Sequence, residues 1–371
     1  MSEPLRIAIP IHSFEPGGVE RVALNLAAAW QAGGARVSVL LGRTEGAMQE
    51  GAPKLDYVVR PAPVPTAAFE TVWMIWAAWR WLRRERADVL FAPGNTYAIV
   101  AIALKLLLGA RCPPVVIKIS NDLVRRDLPA SVRWLYRVWL RVQGRWLNHF
   151  VGMAAPMRAE IARAMQVGDQ RITIIEDPAL ESAQVAALTA ILRSTPLRRA
   201  PAYVAIGRLS GQKNFALLLR AFAGLSDPAA RLVIVGEGVE RTKLERRAEQ
   251  LGIGERLSLP GHCDPLPHLA AAAAFVLSSD YEGVPAVVIE ALAAGLPIAG
   301  TDCSVSMQAL CGRGAFGVLV PPRDPAALTR AMEEVLTMPF DPRAARGSTR
   351  VFTIDAAAAR YQALFAQVAQ P

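Results

Sequence analysis

Two cations in the second half of the chain have the types and spacing of a phosphate-binding pair. Arg208 and Lys213 stand in the segment IGRLSGQKN, just after a predicted strand that ends at Gly207. Two close cations in a cleft suit a diphosphate, because both can donate charge-assisted hydrogen bonds to its oxygens. Gly207 allows the tight turn that such a loop needs. Taken alone, the pair is also typical of ordinary surface charge on a solvated loop.

A second glycine turn follows the next predicted strand, in the segment VGEG. Gly236, Glu237 and Gly238 permit close approach of the backbone to a ligand. The turn is not a dinucleotide fingerprint, because charged residues stand where the third glycine is needed. By itself it indicates a tight structural turn as much as a binding site.

Two glutamates in the segment SSDYEGVPAVVIEALAAGLP complete this set of polar residues. Glu282 lies in a loop after a predicted strand, and Glu290 lies in the second turn of a helix that begins near Pro285. The backbone N–H groups around Val284 form the N-terminus of that helix, which favours an anion. Glu290 is flanked by apolar residues, and its carboxylate can accept hydrogen bonds from paired sugar hydroxyls. The alternative is an exposed glutamate on an amphipathic helix.

In this order and spacing, IGRLSGQKN, VGEG and EGVPAVVIEA resemble the C-terminal domain of glycosyltransferase family 4. The N-terminal segment PGGVER resembles the glycine-rich first loop of the same family. The resemblance extends over nearly the whole chain. It implies a retaining enzyme of the two-domain GT-B fold that uses a nucleotide-sugar, UDP- or GDP-linked, and needs no metal or other cofactor.

The resemblance also implies roles for individual residues. Arg208 and Lys213 neutralise the donor diphosphate and the charge that develops on the leaving group. Glu282 faces the transferred sugar, Glu290 binds the ribose hydroxyls, and the backbone of His262 holds the base. The remaining donor-binding positions are in the glycine turns and at the helix start: Gly17, Gly18, Gly207, Gly236, Glu237, Gly238, Val284 and Pro285.

The chain departs from the family pattern at three places. Many members carry a histidine after the fifth strand, where this chain has Asn121 and Asp122. Asn121 can donate a hydrogen bond to a sugar hydroxyl but cannot carry a proton. Acid–base help then falls to Asp122 or to the leaving phosphate. Pro285 replaces a common glycine, and Asp177-Pro178 stands where Asn-Pro is usual.

The elements that position these residues alternate between short apolar strands and helix-length amphipathic segments. This pattern predicts α/β architecture, with two doubly wound, Rossmann-like domains that face a cleft, the GT-B arrangement. The predicted boundaries are 1–177 for an acceptor-side domain and 178–200 for a linker with one short helix. A nucleotide-sugar domain follows at 201–350, and a C-terminal helix at 351–371 is expected to return toward the first domain.

The first half is also basic and rich in tryptophan. Residues 67–149 contain 13 Lys and Arg against 5 Asp and Glu, so that +8 of the net +9 lies there. Arg133, Arg137, Arg141 and Arg145 form one helical stripe, and apolar side chains that include Trp139 occupy the opposite face. Such helices suit an anionic membrane surface, whereas the alternative is an ordinary core face with a charged outer face.

Composition excludes several classes of protein. With 53% apolar and 20% charged residues, the chain is neither disordered nor too small to bury a core. Four cysteines without a CxxC pair indicate reduced thiols, and no HExxH or DxD motif indicates a metal site. The longest apolar run has about a dozen residues, which is short of the ~20 that span a bilayer. The N-terminus has no signal-peptide pattern.

We therefore expect a hexosyltransferase that is peripheral to the cytoplasmic face of the inner membrane. Its acceptor is expected to be a glycan or a polyprenyl-diphosphate-linked sugar in cell-surface polysaccharide or glycolipid synthesis. Alternatives are a non-catalytic nucleotide-sugar-binding scaffold of the same fold and a GT-B nucleotide-sugar epimerase. A nucleic-acid-binding protein follows from the pI near 9.8 alone, and no nucleic-acid motif supports it.

Overall fold

The chain folds into two compact units, seen in a computed structural model. One unit comprises residues 1–178 and 354–371, and the other comprises residues 179–353. The described residues are 3–15, 17–46, 48–60, 69–120, 123, 129–194 and 202–370. No helix within these ranges is long and apolar enough to cross a membrane.

The first unit is built on a parallel sheet of seven strands in the order β3-β2-β1-β4-β5-β6-β7. The central strands β4 and β5 are entirely buried and are apolar except for Lys118, as expected for a sheet covered on both faces. The strands are β1 (Arg6–Ile11), β2 (Arg36–Leu41), β3 (Asp56–Val59), β4 (Val89–Ala92), β5 (Val115–Ile119), β6 (His149–Gly152) and β7 (Ile172–Ile174).

Helices cover this sheet, and the last helix of the chain is one of them. The helices are α1 (Gly18–Ala32), α2 (Glu70–Leu82), α3 (Ala98–Leu108), α4 (Ala130–Trp146), α5 (Met157–Met165) and α14 (Ile354–Val368). Trp30 of α1 is fully buried, donates a hydrogen bond of 3.1 Å to the carbonyl of Ala358, and packs edge-on against Phe365. These contacts tie α14 to α1, since each such aromatic pair adds about 0.5–1.5 kcal/mol beyond its buried area.

The second unit repeats the design with six parallel strands in the order β10-β9-β8-β11-β12-β13. The strands are β8 (Ala202–Ile206), β9 (Arg231–Val235), β10 (Leu257–Gly261), β11 (Ala274–Leu277), β12 (Ile298–Thr301) and β13 (Gly317–Val320). Its helices are α6 (Ser182–Ser194), α7 (Phe215–Ala223), α8 (Arg241–Gln250), α9 (Leu266–Ala271), α10 (Ala286–Ala294), α11 (Met307–Leu310), α12 (Pro325–Glu334) and α13 (Pro342–Ser348). In both sheets the strand order reverses beside the first strand, and ligands bind at that point in such folds.

The strand and helix pattern read from the sequence predicts most of these elements, and the doubly wound α/β fold is confirmed. In the segment predicted as a linker with one short helix, the structure has α6, which buries Leu188 in the core of the second unit. The short helices α11 and α13 lie where the sequence pattern predicts no helix.

Candidate functional site

The glycine turns of the second unit lie against each other at the carboxyl edge of its sheet. Gly207 follows β8 and Gly236 follows β9, and a Cβ on Gly236 would lie 2.0 Å from the carbonyl oxygen of Gly207. Only glycine allows this approach. Next to it, the backbone N–H of Leu209 donates to the carbonyl of Glu237, at 2.8 Å. The two turns thus form one backbone-lined surface beneath the loop that holds Arg208 and Lys213.

A compact polar cluster joins this surface to the loop after β11. The Nζ of Lys213 lies 2.6 Å from Oε1 of Glu282, and Ser279 donates a hydrogen bond of 2.8 Å to the same oxygen. The side chain of Lys213 is only 18% exposed and that of Glu282 only 11%. Lys213 is itself held through its carbonyl, which accepts a hydrogen bond from Ser278. The cation is therefore neutralised by a carboxylate and fixed in position.

Further hydrogen bonds join the lysine loop to the glutamate loop. Asp280 donates its backbone N–H to the carbonyl of Gln212, at 2.9 Å, and accepts from the side-chain amide of Asn214, at 2.8 Å. Arg323 adds an ion pair to Asp280, at 2.9 Å. Because these bonds lie on both sides of Lys213, its separation from Glu282 is set by the loops and not by two flexible side chains.

Arg208 occupies a different environment. It follows Gly207 directly and is exposed, and within the described part of the chain it forms no ion pair. The structure therefore places one cation in a carboxylate pair and leaves the other facing solvent.

The start of α10 provides a positive helix end on the same side of the sheet. Pro285 is the N-cap residue, and among the described residues no side chain caps this terminus. Ser306 fixes the loop before the helix by donating a hydrogen bond to the carbonyl of Gly283, at 2.8 Å. Val284 is half-buried beside it. The N-terminal amides of α10 are an anion site by geometry and dipole.

Glu290 lies in the second turn of α10 and is half-buried. It lines a small cavity together with Pro265 and Leu266, which belong to the segment that follows β10. His262 stands three residues before Pro265 and is exposed. The structure thus brings Glu290 close to the segment predicted to hold the base.

Glu237 has a partner that the sequence pattern does not indicate. Its carboxylate lies 2.5 Å from Nη2 of Arg241, which also pairs with Glu245 at 3.0 Å. The hydrogen bond from Arg241 holds the pKa of the Glu237 carboxyl below its usual range. Glu237 therefore carries an anion that is already paired, and its backbone is the part that adjoins the glycine turns.

In the first unit, the glycine-rich loop contains a carboxylate. Gly17 is the N-cap of α1, and Glu20 folds back so that Oε2 would lie 2.0 Å from a Cβ on Gly17. The hydroxyl of Tyr97 donates to Glu20 at 2.8 Å, and the Tyr97 ring stacks on His12 at 4.7 Å. Burial raises the pKa of Tyr97 and lowers that of His12. A ligand at Gly17 and Gly18 therefore meets a helix start whose positive end is already faced by Glu20.

Two predicted residues of the first unit, Asn121 and Asp122, lie outside the described residues. The preceding strand ends beside a buried ion pair between Lys118 and Asp177, at 2.8 Å. Asp177 is the residue that stands where the family usually has asparagine. Its charge is therefore matched by a lysine within the same unit.

Several residues of the second-unit cluster escape the sequence analysis. Ser279, Asp280 and Asn214 hold Lys213 and Glu282 in place, but only chain folding brings them together. A signal was present for two of them, because Ser279 and Asp280 belong to the same segment, SSDYEG, as Glu282. Asn214 directly follows Lys213 in IGRLSGQKN, but a polar residue before an apolar helix is first of all a helix cap, which it also is.

The comparisons with known proteins agree with this geometry. A family model described as Glycosyltransferase Family 4 matches residues 16–178, and one described as Glycosyl transferases group 1 matches residues 192–350. Together the two models cover most of the chain. The chain belongs to glycosyltransferase family 4. Its two parallel-sheet units have the GT-B fold.

Curated relatives match this family member over part of their length. It is 34% identical over 138 residues to the lipopolysaccharide core biosynthesis glycosyltransferase LpsE of Rhizobium meliloti, covering 37% of this chain and 40% of LpsE. It is 36% identical over 118 residues to the N-acetylgalactosamine-N,N'-diacetylbacillosaminyl-diphospho-undecaprenol 4-alpha-N-acetylgalactosaminyltransferase of Campylobacter jejuni, covering 32% of each protein. The chain thus aligns with about a third of the length of these relatives.

Among solved structures, Anabaena HepE, in complex with UDP and glucose, is similar over the full chain. The TM-score is 0.69 at 16% identity, and the match covers 99% of this chain and 98% of HepE. At that identity the likeness shows a shared fold.

Proposed function

We propose that this family member is a retaining hexosyltransferase. It moves a sugar from a UDP- or GDP-linked donor to a hydroxyl of a glycan or polyprenyl-diphosphate-linked acceptor in cell-surface polysaccharide or glycolipid synthesis. The observation that supports this most is the Lys213–Glu282–Ser279 cluster, which lies at the carboxyl edge of the second sheet with the α10 N-terminus on the same side.

The donor diphosphate binds where positive groups gather. Arg208 faces solvent and is ready to pair with a phosphate, and the α10 amides add a helix N-terminus. Lys213 reaches the diphosphate by sharing or exchanging its Glu282 partner. The exchange is favourable because a diphosphate carries more negative charge than one carboxylate. Glu282, once released, faces the transferred sugar and accepts hydrogen bonds from its hydroxyls.

The ribose and base lie toward the other end of the site. Glu290 accepts hydrogen bonds from the two ribose hydroxyls, since a carboxylate offers two oxygens to a pair of donors. The backbone near His262 holds the base, in the segment whose Pro265 lines the same cavity as Glu290.

The transfer proceeds on one face of the sugar. The bond between the anomeric carbon and the β-phosphate oxygen breaks, and the acceptor hydroxyl forms a new bond to that carbon from the same side. The acceptor proton passes to the departing phosphate oxygen, so that no protein nucleophile is required. Arg208 and Lys213 stabilise the negative charge that the leaving diphosphate gains. The reaction is proposed to need no metal ion.

We further propose that α2, α3 and α4 of the first unit bind an anionic membrane surface, which brings lipid-linked acceptors to the enzyme. On α4 the buried residues are Leu140, Gln143 and Gly144. Several apolar side chains on other faces point to solvent, and of these Trp134 is 61% and Leu135 is 60% exposed, whereas Trp139 is half-buried. An apolar face that does not pack on the core is what an interfacial helix presents.

Neighbouring helices extend this surface. Exposed apolar side chains occur on α2 and α3 as well, at Val72, Trp76, Ile99, Leu106 and Leu107. Arg80 and Arg83 lie over the rings of Trp76 and Trp79, at 5.8 Å and 5.0 Å. The combination of cations and amphipathic rings matches the headgroup region of a bilayer, where each cation contributes ~1 kcal/mol.

Vesicle sedimentation tests the surface. We expect the protein to bind vesicles of phosphatidylcholine with phosphatidylglycerol and to bind phosphatidylcholine alone weakly. Trp134→Ser combined with Leu135→Ser should weaken binding about tenfold or more, because both side chains lose apolar burial in the interface. Val351→Ser, an exposed apolar position in the second unit at 48% exposure, is the matched control. Equal binding of all three proteins contradicts the membrane proposal.

Product analysis tests the transfer itself. A panel of UDP- and GDP-linked hexoses is incubated with polyprenyl-diphosphate-linked acceptors, with and without EDTA, and nucleoside diphosphate release is followed. We expect one donor to be used, EDTA to have no effect, and NMR of the product to show the donor's anomeric configuration. Lys213→Ala should lose turnover, whereas Lys243→Ala, an exposed lysine on α8, should keep it. A product of inverted configuration contradicts the retaining mechanism.

A further inference from the structure

Asn95 of the first unit presents a buried hydrogen-bond donor that is unused. Its Oδ1 accepts the backbone N–H of Ser120 at 2.8 Å and the Ser120 hydroxyl at 3.2 Å. A main-chain N–H can only donate, so it fixes which end of the amide faces Ser120. The Nδ2 then points away from Ser120. It is buried and has no hydrogen-bond partner among the described residues. Buried donors are normally paired with protein, bound water or a ligand, so this one requires a partner that the described residues do not supply.

The position of Asn95 in the fold is that of a ligand site. The residue follows β4, which pairs with β1, and the strand order reverses between these two strands. The backbone of Gly94, the preceding residue, lies close to Val19 and Ser120. A Cβ at position 94 would be 2.9 Å from the Val19 side chain and 3.2 Å from the Ser120 hydroxyl. The start of α1, the end of β4 and the end of β5 therefore meet around the Asn95 amide, at the point where doubly wound sheets bind ligands.

The charges around this point favour a neutral ligand. Glu20 lies at the start of α1 and is hydrogen-bonded by Tyr97. Two described cations of the same edge are already paired, Lys118 with Asp177 and Arg43 with Glu15 and Glu70, whereas Arg21 beside Glu20 is exposed. An anionic group such as a phosphate would meet the Glu20 carboxylate, and neither of these two paired cations is free to offset the repulsion. A hydroxyl needs only a donor and an acceptor, and the Asn95 amide provides the donor.

We infer that Nδ2 of Asn95 donates a hydrogen bond to a sugar hydroxyl during transfer. This assignment rests on the proposed function, because it takes the ligand to be a sugar. The hydroxyl belongs either to the transferred sugar or to the acceptor. Asn95 is in both cases a binding residue, and no proton transfer is ascribed to it.

The chain offers a matched control, Asn148, at the other end of β5 from the Asn95 contact. Asn148 accepts the backbone N–H of Val115, the first residue of β5, at 2.9 Å, but its side chain is exposed. Asn95→Ala removes the acceptor of the Ser120 N–H, just after β5, and Asn148→Ala removes the acceptor of the Val115 N–H, at the start of β5. Only the first removes the buried donor. Asn95→Asp is the second variant, because its carboxylate still accepts from Ser120 and supports the fold but has no N–H to donate.

Calorimetric titration shows whether the hydroxyl belongs to the transferred sugar or to the acceptor. It uses UDP and UDP-glucose or, if these do not bind, GDP and GDP-glucose. If the hydroxyl is on the transferred sugar, Asn95→Ala weakens the nucleotide-sugar about 3- to 10-fold and leaves the nucleoside diphosphate unchanged. If it is on the acceptor, both affinities are retained, and KM for a polyprenyl-diphosphate-linked N-acetylglucosamine rises by a similar factor. Asn148→Ala should match the wild type in all three measurements.

Two results overturn the assignment. One is an Asn95→Ala and an Asn95→Asp protein that match Asn148→Ala within twofold for nucleotide-sugar affinity and for acceptor KM. The other is a wild-type protein that binds no nucleoside diphosphate and no nucleotide-sugar. That result contradicts the proposed function as well. It differs from a failure of the Asn95 assignment alone, because it is seen in the protein without any substitution.

Discussion

Replacing Lys213 separates its role in folding from its role in binding. Lys213→Met removes the cation that lies 2.6 Å from Glu282 and leaves that carboxylate with Ser279 as its remaining partner. Breaking a fully buried pair costs about 3–5 kcal/mol. Because these side chains are 18% and 11% exposed and Ser279 stays in place, we expect about 2 kcal/mol. For a unit of this size that is a fall in Tm of about 4–8 °C.

The double variant Lys213→Met with Glu282→Gln should recover most of this stability, because a neutral amide at position 282 needs no cation. It should not recover nucleotide binding. A charge-assisted hydrogen bond to phosphate contributes about 1.5–3 kcal/mol, so that nucleoside diphosphate affinity should fall about 10- to 150-fold in both variants.

The assay uses the distribution of tryptophan. All eight tryptophans precede residue 147, so their fluorescence reports the first unit only, while circular dichroism reports both units. We expect the circular-dichroism transition of Lys213→Met to move and the fluorescence transition to stay. Unchanged nucleotide affinity in Lys213→Met, or affinity restored in the double variant, refutes the placement of the diphosphate at Lys213.

Three further predictions concern the fold around the site and the first unit. Gly236→Ala should destabilise the second unit by about 2–4 kcal/mol and abolish nucleotide binding, since its Cβ meets the Gly207 carbonyl; an unshifted circular-dichroism transition contradicts this. Burial lowers the pKa of His149 to about 4, so its neutral form stabilises the first unit at pH 7, and that contribution is lost as pH falls from about 6.5 to about 4. The tryptophan-monitored stability of His149→Gln should therefore fall less between pH 7 and pH 5 than that of the wild type, and parallel curves refute this. Burial raises the pKa of Cys303 to about 12, so iodoacetamide at pH 8 should label this thiol only after the second unit unfolds, as peptide mass spectrometry will show; rapid labelling of the native protein contradicts it.

The fold was largely predictable because its signals are local. Strands such as β8 and β11 are short apolar runs bounded by turn residues, and the helix α10 begins where a proline follows a glycine loop. The helix α13 is harder to predict. It has an Asp341 cap and a proline at its start, as α12 does, but it is only seven residues long and buries one alanine, so that no apolar periodicity marks it.

The candidate site was predictable in its residue types but not in its pairings. Arg208 and Lys213 are five positions apart and suggest a joint role, yet the structure pairs Lys213 with Glu282, which is 69 residues away. A sequence pattern does not show that two residues so far apart along the chain come into contact in the fold. The Asn95 donor is likewise invisible, because its significance depends on Ser120 taking up the other end of the amide.

The location of the nucleotide site is the central claim, and hydrogen–deuterium exchange with UDP or GDP tests it most directly. With the nucleotide that binds, we expect slower exchange in the peptides that contain Gly207–Asn214 and Ser278–Glu290. A control peptide from α12 should exchange at an unchanged rate. Two results contradict a donor site at the carboxyl edge of the second sheet. One is slower exchange that leaves both of these segments unchanged, and the other is no slowing of exchange with either nucleotide.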